Sequence, residues 1–158
     1  MVPWLPLLFA LAQQDKLPPA TPLPPPASEE GQIMVPIKAV LAAISARDSA
    51  AIATQLRPDG NAVAVIEKPD GTRTIKRFGW AEWTGGVKPG PERIEERLSD
   101  PAIEIDGDLA MVWSPYVFLI DGKVHHCGVD HFDLIREGGG WKIANLSWTS
   151  RTTGCPTP

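Results

Sequence analysis

Residues 106–143 read DGDLAMVWSPYVFLIDGKVHHCGVDHFDLIREGGGWKI, and this stretch decides the fold. Apolar and polar residues alternate along much of it with a period of two, the spacing of strands whose side chains point to opposite faces. The breaks fall at Asp106-Gly107-Asp108, Asp121-Gly122 and Gly138-Gly139-Gly140. Asp-Gly suits a two-residue type I′ hairpin, in which both central residues take positive φ. Strands are therefore expected over residues 109–120, 123–136 and 141–151, preceded by one over 92–105. Pro101 and Pro115 cannot donate to a ladder, so each needs a strand end, an edge or a bulge.

Upstream of this stretch the period is helical. Ile33, Ile37, Val40, Leu41 and Ile44 recur at three- and four-residue steps and share one face. Pro36 fits such a helix near its first turn, where the missing N–H is harmless. The helix is expected to end near Ala46-Arg47. Asp48 then caps a short second helix through Ala51, Ile52 and Leu56, stopped by Pro58-Asp59-Gly60. Two short strands, Ala62 to Glu67 and Thr72 to Lys76, flank the turn Pro69-Asp70-Gly71. A third helix over Arg77 to Thr84 is anchored by Phe78, Trp80 and Trp83. Helices followed by meandering antiparallel strands make an α+β layout. A curved antiparallel sheet wrapped around N-terminal helices forms a cone, with an apolar pocket between the layers.

The N-terminal part has a different composition. Val2 to Ala12 is apolar but far shorter than the roughly 20 residues of a spanning helix, so no stable membrane insertion is expected. It closes on Ala10-Leu11-Ala12, a small-x-small pattern, and residues 1–12 read as a signal peptide, although no Lys or Arg precedes Lys16. Residues 13–31 read as a Pro-rich linker of polyproline II type, and residues 32–156 as one domain. The expected location is periplasmic or secreted, or cytoplasmic if the first segment is not a leader. With Lys+Arg 15 against Asp+Glu 19 and a net charge of −4, the chain has no basic stripe for nucleic acid. Two cysteines and three histidines give no zinc-type quartet, and no metal site is expected. Neither a Gly-rich phosphate loop nor a dinucleotide fingerprint occurs, so no cofactor is expected.

The segments DGDLAMVWSPYVF (Asp106 to Phe118), DGKVHHCGVDHFDL (Asp121 to Leu134) and GWKI (Gly140 to Ile143) resemble bacterial members of the nuclear transport factor 2-like superfamily. The similarity is to the SnoaL-like and lumazine-binding-like groups, and VLAAISARDSAAI (Val40 to Ile52) fits the first two helices of that family. The resemblance implies the α+β cone, also called cystatin-like, and often a homodimer through the outer sheet face. It implies no single reaction, because ketosteroid isomerases, scytalone dehydratases, polyketide cyclases and non-catalytic binding domains share the fold.

A strict hairpin at Asp121-Gly122 sets a register that can be counted. Ile120 opposes Lys123, Val117 opposes His126, Trp113 opposes Asp130, and Met111 opposes Phe132. One face then carries Leu109, Met111, Trp113, Val117, His126, Asp130, Phe132 and Leu134, and is the more apolar. The chain's only tyrosine, Tyr116, falls on the other face, which disfavours the isomerase arrangement of Tyr and acids deep in the pocket. His126 and Asp130 are the candidates for acid–base catalysis, since burial in an apolar pocket shifts their proton affinities. About 13 Å apart on one strand, they form no direct dyad. Trp80, Trp83, Trp113 and Phe132 are candidates to stack on a planar ligand, with Asn145 as a further binding residue. Each also has a plain structural role open to it as core, backbone anchor or half-buried imidazole.

If the chain is exported, a disulfide between Cys127 and Cys155 would pin the C-terminal tail to the sheet. Three functions follow from these residues. The first is a non-catalytic pocket for an unknown small molecule. The alternatives are a lyase- or isomerase-type enzyme using Asp130 and His126, or a ligand-free dimerisation or interaction module.

Overall fold

The computed structural model describes residues 28–156. The signal peptide expected over residues 1–12, and all but the last four residues of the linker, lie outside the described residues. The first helix, α1, spans Glu29–Ala46. It starts inside the range that composition assigns to the linker, because Ser28 caps it: the Gly31 N–H donates to Ser28 Oγ at 3.0 Å. Glu29 and Glu30 in its first turn complement the helix dipole. Pro36 therefore lies in the interior of α1 rather than near its first turn. Ile33, Ile37, Val40 and Ile44 form its buried face.

Arg47, at a left-handed φ of 56°, closes α1, and Asp48 accepts from the Ala51 N–H at 2.9 Å to start α2, Ser49–Ala53. Strand β1 then runs Leu56–Glu67. Pro58-Asp59-Gly60 does not precede this strand but forms an irregularity within it, where pairing jumps between Leu56 and Asn61. Gly60 is required there, since a Cβ would lie 1.7 Å from the Ala144 carbonyl oxygen. β2 is Arg73–Gly79 and α3 is Trp80–Gly85, so Arg77 and Phe78 belong to strand, not helix.

The single strand expected over 92–105 is two, β3 (Ile94–Leu98) and β4 (Ala102–Asp106), parted at Ser99-Asp100-Pro101. Both pair with β5 (Leu109–Ile120). β6 is Lys123–Glu137 and β7 is Gly140–Ser150. The sheet has seven strands in the order β2-β1-β7-β6-β5-β3, with β4 also beside β5. It is mixed rather than wholly antiparallel, because β1 joins β7 in parallel. The α+β cone results: α1 and the inner sheet face share a core of Ile33, Ile37, Val112, Phe132, Leu134 and Ile143, among others. Arg136 adds an ion pair to Glu29 and lies 4.6 Å over the Trp141 ring.

The turn at Asp121-Gly122 forms as the dipeptide demands, with φ of 51° and 78°. The register beyond it does not stay strict. Leu119 pairs with Val124, but Phe118 pairs with His126, so β6 holds one extra residue at His125. That bulge shifts the rest of the hairpin by one residue, and a one-residue shift inverts which side chains of a strand share a face with its neighbour. Ser114, not Trp113, opposes Asp130, and Val112, not Met111, opposes Phe132. Val112, Ser114, Tyr116 and Phe118 consequently face inward with His126, Asp130 and Phe132. Leu109 and Trp113 are exposed on the outside, Trp113 by 49%.

Cys127 and Cys155 are joined in a disulfide, with their Cα atoms 5.6 Å apart. Reciprocal backbone hydrogen bonds between Cys127 and Arg151, both 2.9 Å, hold the same segment of tail on the sheet. Among the described residues, no helix is long and apolar enough to cross a membrane.

Candidate functional site

The open end of the cone holds a cavity of about 590 Å³, within the range of small-molecule sites. Its helical wall is built by Val40, Leu41 and Ile44 of α1 and by Trp83 of α3. Phe78 at the end of β2, Phe118 of β5, Phe132 of β6 and Trp148 of β7 add an aromatic lining. Phe78 and Trp148 stack at 6.0 Å, and Trp83 meets Trp148 at 6.5 Å. These rings supply flat, apolar contact area at a small cost in side-chain entropy.

Four polar side chains enter this apolar wall from the sheet: Glu96, Tyr116, His126 and Asp130. Each is placed by strand alternation and the His125 bulge. Glu96 pairs with Phe118 across β3 and β5, and Asp130 pairs with Trp148 across β6 and β7. Both acids thus have an aromatic neighbour in register. Asp130 is only 4% exposed, and its Oδ2 is buried with no hydrogen-bond partner. Burial drives its carboxyl well above the ordinary aspartate range, and the nearby Glu96 reinforces the shift. Glu96 is pushed up to about 7, chiefly by burial and opposed by a side-chain hydrogen bond with Asp130. Two carboxyls joined this way share a proton, because a hydrogen bond between them needs one to be an acid.

Tyr116 donates its hydroxyl to the Thr149 carbonyl at 2.9 Å. Burial raises its proton affinity further, with Asp130 and Glu96 adding to the effect, so the phenol stays protonated. His126 stacks on Phe118 at 4.7 Å and meets the Tyr116 ring edge-on at 5.7 Å. Burial lowers its pKa to about 4, aided by His125, whose Nδ1 is 2.9 Å from that of His126. The His126 imidazole is neutral at pH 7. At the rim, Arg47 donates to the carbonyls of Lys88 at 2.6 Å and Glu92 at 3.0 Å. Glu82 and Glu92 complete the charged part of the wall.

The residues singled out from sequence divide cleanly. His126, Asp130, Trp83 and Phe132 line the cavity. Trp113 does not: the bulge turns it outward, where it lies 6.0 Å from the His131 ring. Trp80 lies behind the wall, its indole N–H donating to the Arg57 carbonyl at 2.6 Å and its ring 5.6 Å from Trp83. Asn145 pairs in register with Asp133 and accepts from Asn61 at 3.3 Å, away from the cavity. Tyr116, expected outside, is inside for the same reason that Trp113 is outside. Glu96 escaped notice altogether. Its signal was the alternation Ile94, Glu96, Leu98, in which a lone acid occupies the apolar side of a strand. Among the described residues, no three His, Cys, Asp or Glu side chains gather as a metal-holding set.

No protein-family model matches the sequence, and a search of curated proteins gives no match. Solved structures do resemble the fold. A protein of unknown function with a cystatin-like fold from Nostoc punctiforme is 14% identical, with a TM-score of 0.61 over 80% of this chain and 94% of that one. A nuclear transport factor 2-like protein from Cytophaga hutchinsonii is 17% identical, with a TM-score of 0.60 over 78% and 98% of the two chains. The beta subunit of a proposed aromatic-ring-hydroxylating dioxygenase from Novosphingobium aromaticivorans is 13% identical, with a TM-score of 0.63 over 80% and 92%. At such identities the likeness shows the nuclear transport factor 2-like, cystatin-like fold and nothing of activity.

Proposed function

We propose that the protein is a small-molecule-binding domain whose ligand is mostly apolar, carries at least one polar group, and enters the cone beside Glu96 and Asp130. The observation that carries this reading is an open cavity of about 590 Å³ with aromatic walls and one buried, unpartnered carboxyl oxygen. Unpaired buried acceptors are costly, and a ligand donor would remove that cost. Trp83 and Phe132 bind the apolar body of the ligand, and His126 contributes a neutral imidazole. Native mass spectrometry of the protein recovered from its producing cells tests the reading. A copurified small molecule that is present on the natural protein and absent from Phe132→Trp protein recovered in the same way supports it. A bare protein that also fails to bind any member of a planar ligand library overturns it.

Acid–base turnover is the second reading, favoured by the pKa of about 7 at Glu96 beside a protonated Asp130. A carboxylate that accepts a proton and an acid that donates one, in one apolar site, are the elements of a lyase- or isomerase-type reaction. Asp130 serves as the acid. His126, neutral and with a pKa of about 4, accepts a proton or a hydrogen bond rather than donating as an imidazolium. Asp130→Asn separates the two readings, because the amide keeps an oxygen to accept from the ligand but has no acidic proton to give, so turnover is lost while binding is at most weakened.

The protein acts in an oxidising compartment, periplasmic or extracellular, a reading supported by the Cys127–Cys155 disulfide. It self-associates through the outer sheet face around Leu109 and Trp113, both exposed. A monomer by analytical ultracentrifugation at micromolar concentration overturns that part.

A further inference from the structure

The wall of the cavity has a charge asymmetry that narrows the ligand class, provided the small-molecule reading above holds. Four acids line it, Glu82, Glu92, Glu96 and Asp130, against one fixed cation, Arg47. Arg47 is already committed to two backbone carbonyls and to Glu92, so it has little left to offer an anion. His126 is neutral, and the Tyr116 hydroxyl is spent on Thr149. No free cationic donor remains in the wall to receive a carboxylate or a phosphate. Acceptors do remain: Asp130 Oδ2 is buried and unpartnered in a residue only 4% exposed.

The aromatic rings add a second, independent preference. Phe118 is the register neighbour of Glu96, and Trp148 that of Asp130, with Trp83 6.5 Å from Trp148. The faces of such rings are negative and attract cations, the more so where water is excluded. Carboxyls set among aromatic rings form the kind of site that recognises quaternary or protonated nitrogen. A neutral apolar molecule would leave Asp130 Oδ2 unsatisfied, and an anion would meet four acids.

We infer that the cavity takes an organic cation, with its positive nitrogen seated against Glu96 and Asp130 between Phe118 and Trp148 and its apolar body against Trp83 and Phe132. The cation replaces the proton that the two carboxyls otherwise share, so loading it releases a proton to solvent. The class comprises planar N-alkylated heteroaromatics and bulky alkylammonium compounds, with room in about 590 Å³ for a ligand of several rings.

A matched set of tricyclic probes tests this on the full chain at pH 8: N-methylacridinium (a fixed cation), acridine (neutral) and acridine-9-carboxylate (an anion). Binding is read from probe and tryptophan fluorescence. The expected result is that the cation binds at least tenfold more tightly than acridine, with the anion weakest. In Glu96→Gln/Asp130→Asn protein the preference for the cation over acridine should fall to within about twofold, while acridine still binds. Acridine itself verifies that the variant is folded and the cavity open. If acridine binds the unaltered protein as tightly as the cation does, or if the preference survives loss of both acids, the inference fails while the pocket reading stands. If none of the three probes binds, both fall together.

Discussion

Glu96 of β3 and Asp130 of β6 line one cavity wall and act on each other's proton affinity although β5 lies between their strands. Both side chains line the cavity, and both act on the Tyr116 hydroxyl of the strand between them. Their environment is low in water and rich in rings, so each holds its proton more tightly than it would in an unfolded chain. The pair is therefore at once the most polar feature of the cavity and a term in the protein's stability.

Stability should fall as pH rises through neutrality. Both carboxyls bind a proton more strongly when folded, so their contribution is complete below their unfolded pKa values and is lost as pH rises through the folded ones. For Glu96, a rise from 4.5 to about 7 corresponds to at most about 3 kcal/mol. His126 works in the opposite sense: lowered from 6.5 to about 4, it removes stability as pH falls between those values. The window from pH 7.5 to 8.5 is clear of the histidine. Urea midpoints there should drop with pH for the natural protein and stay nearly level for Glu96→Gln/Asp130→Asn. Parallel profiles would sink the shared-proton account.

Reducing the disulfide should cost much more than its two sulfur atoms contribute by packing. Cys127 and Cys155 are separated by 28 positions, and closing a loop of that size is worth about 3–4 kcal/mol on the chain-entropy model. Cys155→Ser and dithiothreitol should lower the melting temperature by similar amounts, and the reductant should do nothing further to the variant. A reductant effect that persists in Cys155→Ser protein would show that the bond is not its target.

Gly128 has a specific reason to be glycine. It stands opposite Tyr116, and a Cβ there would lie 1.9 Å from the Thr149 carbonyl oxygen, the acceptor of the Tyr116 hydroxyl. Gly128→Ala must push β7 away or expel the tyrosine ring, at a cost of roughly 1–3 kcal/mol, as for other overpacked interiors. Tyr116→Phe isolates the hydrogen bond alone, worth about 1 kcal/mol plus the penalty for an unsatisfied carbonyl. The alanine variant should be the more damaging in a thermal melt; equal or reversed effects would contradict the packing argument.

Most of the fold was legible because it depends on periodicity and turn chemistry. Asp121-Gly122 located the hairpin, and Ile33, Ile37, Val40 and Ile44 located the inner face of α1. The site was less legible because it depends on parity. One extra residue at His125 leaves the strands, the turn and the composition unchanged, yet exchanges Trp113 and Met111 for Val112, Ser114 and Tyr116 on the inner face. The bulge lies in HHCG, where no proline or strong turn signal marks it. His126, Asp130 and Phe132 were placed correctly because they lie on one strand and keep their own alternation. Glu96 and Asp130 stand on strands separated by β5, and a relationship across an intervening strand leaves no local signal in the sequence.

Two aromatic residues on neighbouring strands provide the sharpest check of that parity. Phe132 is 1% exposed in the core beneath the cavity, and Trp113, 19 positions earlier, is 49% exposed on the outer face. Phe132→Ala should cost about 3–5 kcal/mol, the loss expected for a buried ring and the void it leaves. Trp113→Ser should change the stability of the monomeric unit by no more than about 0.5 kcal/mol, as for other surface changes. The strict hairpin register would instead put Trp113 beside Asp130 in the wall, and Trp113→Ser would then cost several kcal/mol and alter probe binding. Urea denaturation of the two variants at a single pH, with probe titrations beside it, distinguishes the registers. A Trp113 variant with intact stability and an intact probe affinity fixes the bulge at His125, and sedimentation of that same variant reads directly whether the outer face holds two copies together.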